Sequence, residues 1–291
     1  MTPCDREPRL PVGFRVGGWE LGAVIGSGGR SLVYEARSLP GGAPAAVKVV
    51  SAPDDLVERE AWFGTRADHP HLLRTRALHR IDAPEPAGAV ALVMDRADVG
   101  LRQVLDAGVP GPDPVRLLHG VAAGLAHLHG LGWVHGDVTA ANVLLGPRDG
   151  VRLADFGLTS EPDGVYARTP PLGTLDHRPP EWWSRRRSAD GMVLRATADI
   201  WAFGVLAHQV LTGGHHPFPG LHARARALAA QAYARGNAPL RLHLSLDGGW
   251  HRLIADCLAR DHASRLPHTA ASLVTRVGDR RRTWRRDRRG T

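Results

Sequence analysis

Of the 37 basic side chains in this sequence 36 are arginine, and the single lysine is Lys48. A surface charge can be carried by either residue, but a compact ammonium and a planar guanidinium fork are not interchangeable in a tight pocket. A chain emptied of lysine elsewhere, as a GC-rich coding bias would do, keeps one where arginine fails. Lys48 lies in the apolar run Ala45-Ala46-Val47-Lys48-Val49-Val50, downstream of the glycine-rich stretch Ile25-Gly26-Ser27-Gly28-Gly29-Arg30-Ser31. Glycines there let the backbone approach a ligand closely. Glu60 can hold the ammonium. Leu56, Glu60 and Phe63 share one helix face by i, i+4, i+7 spacing. Two of the three are apolar, so Glu60 is carried inward, where a carboxylate needs a partner.

The elements that position these groups follow from the pattern. Period-2 alternation puts Ala46, Lys48 and Val50 on one strand face. Trp19-Glu20-Leu21 leads into a strand, the glycine turn and a second strand through Val33 and Tyr34; Pro40-Gly41-Gly42 then signals the turn into the lysine strand. Asp54 or Asp55 can cap the Glu60 helix, with Glu58 three residues after Asp55 in a capping-box arrangement. Ala89 to Met94 reads as a strand, and the polar Asp95-Arg96-Ala97-Asp98 follows it. Beyond this point helices dominate: 115–130 (Leu117, Leu118, Val121, Leu125, Leu128), 200–211, 221–235 and 250–260. Val143-Leu144-Leu145 and Val151-Arg152-Leu153 form a hairpin across Gly146 to Gly150.

A chain of 291 residues, 43% hydrophobic and 23% charged, fits a globular protein with a substantial core. Its apolar runs are far short of the ~18–20 residues that span a bilayer, and the N-terminus lacks a signal-peptide pattern, so a cytoplasmic protein is expected. Cys4 and Cys257 suggest neither a disulfide framework nor a metal site. Histidine pairs such as His69/His71, His127/His129 and His215/His216 lack carboxylate or thiolate company at ligand spacing and read as ordinary loop and helix residues. Residues 276–291 hold eight arginines against Asp279 and Asp287. This basic tail is expected to be solvated; the alternative is contact with an anionic partner, and no folded nucleic-acid motif supports a specific nucleic-acid role.

The glycine loop, Lys48, Glu60, His135-Gly136-Asp137…Asn142, Asp155-Phe156-Gly157, Pro180-Glu181, Asp199-Ile200-Trp201…Gly204 and Arg265 occur in the order of the protein kinases. The chain resembles that family over roughly residues 16–278. The resemblance implies an α+β, bilobal fold: a leader (1–15), a small β-rich N-lobe with one helix (16–93), a hinge (94–98), a larger helical C-lobe (99–278) and the basic tail (279–291). It implies ATP and Mg²⁺ as cofactors. Ile25, Gly26, Ser27, Gly28, Gly29, Val33, Ala46, Lys48, Met94, Asp95 and Ala97 would bind ATP, with Met94 guarding the back of the adenine pocket. Lys48, oriented by Glu60, would contact the phosphates. Asp137 would be the catalytic base, and Asn142 and Asp155 would hold Mg²⁺. Glu181 with Arg265, and Asp199 beneath the catalytic loop, resemble structural features of the family.

Three departures carry expectations. Ser31 replaces the loop's third glycine. Gly136 stands where many kinases have an arginine, so activation need not depend on a phosphorylated activation segment. Thr139 stands where serine/threonine kinases usually carry lysine; losing such a donor costs ~2.7–4 kcal/mol in the transition state. Either another arginine compensates or the enzyme is slow. Gly173-Thr174 tilts specificity toward Ser/Thr hydroxyls of protein substrates, and Thr169 and Thr174 are candidate autophosphorylation sites, Thr169 the preferred one. The Gly-x-Gly-Gly loop, compact lobes and Arg/Ala-rich composition suggest a bacterial-type signalling kinase. The alternatives are a nucleotide-binding scaffold with weak phosphotransfer and a small-molecule phosphotransferase.

Overall fold

The computed structural model describes residues 9–28, 31–82, 88–109, 111–146, 150–160, 174–184 and 195–287. Gly29, Thr169 and Gly173 fall outside the described residues. The chain divides into two compact units, residues 1–98 with 155–157, and residues 99–154 with 158–291.

The first unit is built on a six-stranded antiparallel sheet in the order β1-β2-β3-β4-β6-β5. Its strands are β1 (Arg15–Val16), β2 (Trp19–Gly28), β3 (Ser31–Ser38), β4 (Pro44–Val50), β5 (Thr75–Ile81) and β6 (Ala89–Met94). Ala45, Val47 and Val49 of β4 join Leu21, Tyr34, Ala91 and Val93 in one buried cluster. The pleat therefore turns Ala46, Lys48 and Val50 to the opposite face. Leu10 belongs to the same cluster, and its N–H donates to the Tyr34 hydroxyl at 3.0 Å. Packing thus starts within the stretch expected to be a loose leader.

Between β4 and β5 lies α1 (Asp55–Gly64), capped by Asp54, which accepts from the Leu56 and Val57 N–H groups. The expected Asp55/Glu58 capping box is not formed; Glu58 faces solvent and meets Arg80 instead. Val57, Glu60, Ala61 and Phe63 form the buried face.

The second unit holds a three-stranded sheet, β7 (Val99–Gly100), β8 (Val143–Gly146) and β9 (Gly150–Leu153), with helices α2 (Leu101–Ala107) and α3 (Pro114–Gly130). Leu117, Leu118, Val121, Leu125 and Leu128 of α3 are all buried, as their spacing predicts. α4 (Glu181–Ser184) precedes the central helix α5 (Ala196–Leu211), which is buried on almost every side. A side chain at Gly204 would lie 2.7 Å from the Cys257 Cβ, so glycine is what lets α5 approach the next packed helix. The unit closes with α6 (Ala223–Ala234), α7 (Gly248–Cys257), α8 (His262–Arg265) and α9 (Ala270–Asp287).

α9 packs along α3 and runs past residue 278, where the resemblance ends the domain. Two arginines of this basic stretch are bound at home: Arg276 to Asp256 at 2.6 Å and Arg280 to Asp247 at 3.0 Å. Among the described residues no helix is long and apolar enough to cross a membrane.

Candidate functional site

In the first unit the Lys48 ammonium contacts both oxygens of Glu60, at 2.9 and 2.7 Å. Strand alternation aims the lysine, and helix periodicity aims the carboxylate. Their side chains are 19% and 7% exposed. Burial alone would push the Lys48 ammonium down. The Glu60 carboxylate, with Asp155 and Asp54 adding to it, outweighs burial and holds the lysine above its ordinary value. Burial, with the Asp155 charge adding to it, holds the Glu60 carboxyl above its ordinary value although the ammonium pulls it down. One ammonium against both carboxylate oxygens is the geometry of the charged pair.

Phe156 packs on Phe63 of α1, ring centroids 4.8 Å apart, and so fixes the Asp155-Phe156-Gly157 turn to the helix that carries Glu60. Asp155 sits at φ 64°, a left-handed conformation unusual for a residue with a side chain. In the glycine loop Gly26 pairs with Val33, Ser27 with Leu32, and Gly28 with Ser31. A Cβ at Gly28 would lie 2.9 Å from the Ser31 hydroxyl, so the serine at the third glycine's place occupies space that Gly28 leaves free. Ala46 faces Met94 across β4 and β6, and both are buried. The Asp95 N–H donates to the Arg74 carbonyl at 3.1 Å, and its carboxylate accepts from Arg76 at 2.7 Å. Ile25 is exposed, and Ala97 half-buried.

In the second unit the carboxylate of Asp137 is held on both sides. Its Oδ2 accepts from the Asn142 amide at 2.9 Å, and its Oδ1 from the Thr174 backbone N–H at 3.2 Å. Asn142 also donates to the Asp137 carbonyl at 2.9 Å, closing the loop between them through a 3-10 turn at Ala140–Asn142. The His135 ring accepts the Asp137 N–H on Nδ1 at 3.2 Å and donates Nε2–H to the Ala154 carbonyl at 3.2 Å.

Beneath this loop Asp199, from the first turn of α5, accepts the N–H groups of His135 and Gly136, each at 2.8 Å, and the His129 Nε2–H at 2.8 Å. Gly136 has φ 80°, which a side chain would strain. Burial would raise the Asp199 carboxyl, but His129, His135 and the Gly136 N–H overcome it and hold the group below the usual carboxylate range. A carboxyl depressed by folding adds stability above its unfolded pKa and loses it as pH falls through the folded one. The urea midpoint is therefore expected to fall as pH drops below about 4. In Asp199→Asn it should be lower at neutral pH and flatter through that window. Parallel pH curves for the two proteins would remove Asp199 from this account.

Some functional neighbours escaped sequence reasoning. Arg178 is buried and stacks on Trp182 at 4.4 Å. Burial lowers its pKa, and the charges of Asp137 and Asp199 counter that. A guanidinium therefore sits beside the loop that carries Asp137, whereas Thr139 is buried and its hydroxyl has no partner among the described residues. Asp176, His177 and His216 also converge, their ligand-type atoms all within 4.8 Å of one another. This corrects the expectation that His216 lacks carboxylate company. The carboxylate arrives from about forty positions upstream, beyond any local spacing.

Residues 19–275 match the family model described as Protein kinase domain. The chain belongs to the protein kinase family. This kinase chain is 33% identical over 219 residues to CBL-interacting protein kinase 4 of Oryza sativa subsp. japonica, covering 70% of this chain and 46% of that protein. It is 29% identical over 256 residues to CBL-interacting serine/threonine-protein kinase 1 of Arabidopsis thaliana (83% of this chain, 54% of that protein). To Protein-tyrosine kinase 6 of Homo sapiens it is 25% identical over 227 residues (76% and 48%). The chain thus spans about half the length of these relatives.

Proposed function

We propose that this kinase transfers the γ-phosphate of Mg-ATP to serine or threonine hydroxyls of proteins, in the cytosol and in a bacterial-type signalling role. The observation that carries the reading is Asp137, whose carboxylate is fixed by Asn142 on one oxygen and by the Thr174 N–H on the other. A carboxylate held this way is preorganised to align a substrate hydroxyl and take its proton while the oxygen bonds to phosphorus and ADP leaves. Lys48, charged and gripped by Glu60, suits the α- and β-phosphates. Ile25, Gly26, Ser27, Gly28, Val33, Ala46, Met94, Asp95 and Ala97 are assigned to the nucleotide. Gly29 is assigned with them, though it lies outside the described residues.

Asn142 and Asp155, each taken in its own unit, are assigned to Mg²⁺ by their chemistry. The two hydrogen bonds that Asn142 Nδ2 donates leave its carbonyl oxygen to accept, and Asp155 offers a carboxylate, each a hard oxygen donor of the kind Mg²⁺ takes. An ion held by such donors would neutralise charge on the transferring phosphate. Arg178 supports the view that an arginine supplies positive charge missing at Thr139. The unpartnered Thr139 hydroxyl instead favours a second reading, a nucleotide-binding scaffold with weak transfer. Thr169, the preferred candidate for autophosphorylation, lies outside the described residues; Thr174, the other, meets Asp137 through its backbone N–H.

Purified chain incubated with radiolabelled ATP and Mg²⁺ decides between them. Label is expected on serine or threonine in the wild type and near background in Lys48→Arg and Asp137→Ala. Label on tyrosine would overturn the specificity. Nucleotide binding without transfer would favour the scaffold, and equal label in all three proteins would trace to a contaminant.

A further inference from the structure

The second unit carries a polar cluster that the phosphotransfer reading does not use. Asp176 and His177 lie on the 3-10 turn Leu175–His177, and His216 on the loop after α5. Their side chains are 4%, 3% and 7% exposed. His177 Nδ1 is 3.2 Å from Asp176 Oδ1, and His216 Nε2 is 3.8 Å from Asp176 Oδ2. The outer nitrogens meet acceptors: His177 Nε2 faces Gln209 Oε1 at 3.2 Å, and His216 Nδ1 faces the Phe218 carbonyl at 3.1 Å. With protons on those outer nitrogens, both inner nitrogens present lone pairs toward a carboxylate. His216 Nε2 is buried with no hydrogen-bond partner among the described residues.

In that tautomer the facing acceptors would need a cation between them; a proton on His177 Nδ1, 3.2 Å from Asp176 Oδ1, would satisfy His177 alone and leave His216 Nε2 unmatched. Histidine ligands of metals characteristically donate their second N–H to an oxygen, which fixes the tautomer. Tetrahedral ligands of zinc at ~2.0–2.2 Å stand roughly 3.4 Å apart. The Asp176 oxygens stand 3.2 and 3.8 Å from the two imidazole nitrogens, and the three ligand atoms lie within 4.8 Å of one another, so a small inward shift would close them on an ion. We propose that Asp176, His177 and His216 form a binding site for a divalent transition metal of the zinc type, completed by water. The proposal is independent of the phosphotransfer reading. Its consequence is mechanical: the ion would pin the turn that follows Thr174, whose N–H reaches Asp137.

Two features compete with the ion. Arg226 Nε donates to Asp176 Oδ2 at 2.6 Å, and its side chain, 27% exposed, can swing outward. The Phe218 N–H also lies 3.1 Å from His216 Nδ1. Were that N–H the donor, Nε2 would carry the proton, and no metal would bind there.

Full-length chain, free of any histidine tag, is dialysed against Zn²⁺ or Co²⁺, desalted, and its metal content counted. The wild type is expected to retain Zn²⁺ stoichiometrically, and Co²⁺ with the intense visible bands of four-coordinate nitrogen and oxygen ligation. Asp176→Asn and His216→Ala should lose retention, while His215→Ala, an exposed neighbour, should keep it. Gln209→Leu should weaken affinity roughly tenfold, as loss of an outer partner does. Arg226→Gln should strengthen it about threefold or more by removing a like charge. Equal retention in wild type and His216→Ala would overturn the site. So would a wild type that binds no Co²⁺ with such bands, a result that needs no variant to fold.

Discussion

Asp137→Asn should lower kcat for peptide phosphorylation by ~10²–10⁴ while leaving the nucleotide dissociation constant within about twofold. The substitution preserves shape and removes basicity, so a proton that Asp137 would take has nowhere to go. It also replaces one of two acceptor oxygens with a donor. Either the Thr174 N–H at 3.2 Å or the Asn142 amide at 2.9 Å then faces an NH₂ group. That mismatch loosens the loop as well, and a thermal melt measures how far. Steady-state kinetics beside fluorescent-nucleotide binding separates the two effects. A kcat within about threefold of wild type would remove Asp137 as base.

The Lys48–Glu60 pair was readable because both halves obey local periodicities: alternation in β4 and the i, i+4, i+7 stripe in α1. The hairpin is readable for the same reason: β8 and β9 pair from Val143 with Leu153 to Gly146 with Gly150. Asp199 under the His135–Asp137 loop is legible through motif order rather than pattern, since its partners are far off in sequence.

Local pattern fails where side chains of distant segments meet. His216 has no acidic neighbour in sequence, and Asp176 reaches it only through the turn before α4. Arg178 carries no local signal in its spacing, and the segment that brings Thr174 to Asp137 turns it inward. At the start of the basic tail a different signal decides. Composition gave arginine, but Leu273 and Val277 continue the apolar stripe that seats α9 on α3, and that stripe draws Arg276 and Arg280 to partners in this chain.

Arg265→Met should destabilise the second unit by about 3–5 kcal/mol, the usual result of stranding one half of a buried ion pair. The Arg265 side chain is 0% exposed and pairs with Glu181. It also donates to the carbonyls of Ala259 at 2.6 Å and Thr197 at 3.2 Å, and lies over the Trp201 ring. Methionine fills comparable space but offers no donor, so Glu181 loses its guanidinium and two carbonyls lose theirs. A Tm drop of roughly 6–20 °C follows for a unit of this size. Glu181→Gln in the same background should recover part of it, because the charge stranded by the first change is gone. Activity should fall further than global unfolding explains. Glu181 opens α4, directly after the segment that holds Thr174 against Asp137, and releasing it frees that N–H. A melt within about 2 °C of wild type would mean that the helices alone hold this region, and the ion pair would then have no part in positioning the Asp137 carboxylate.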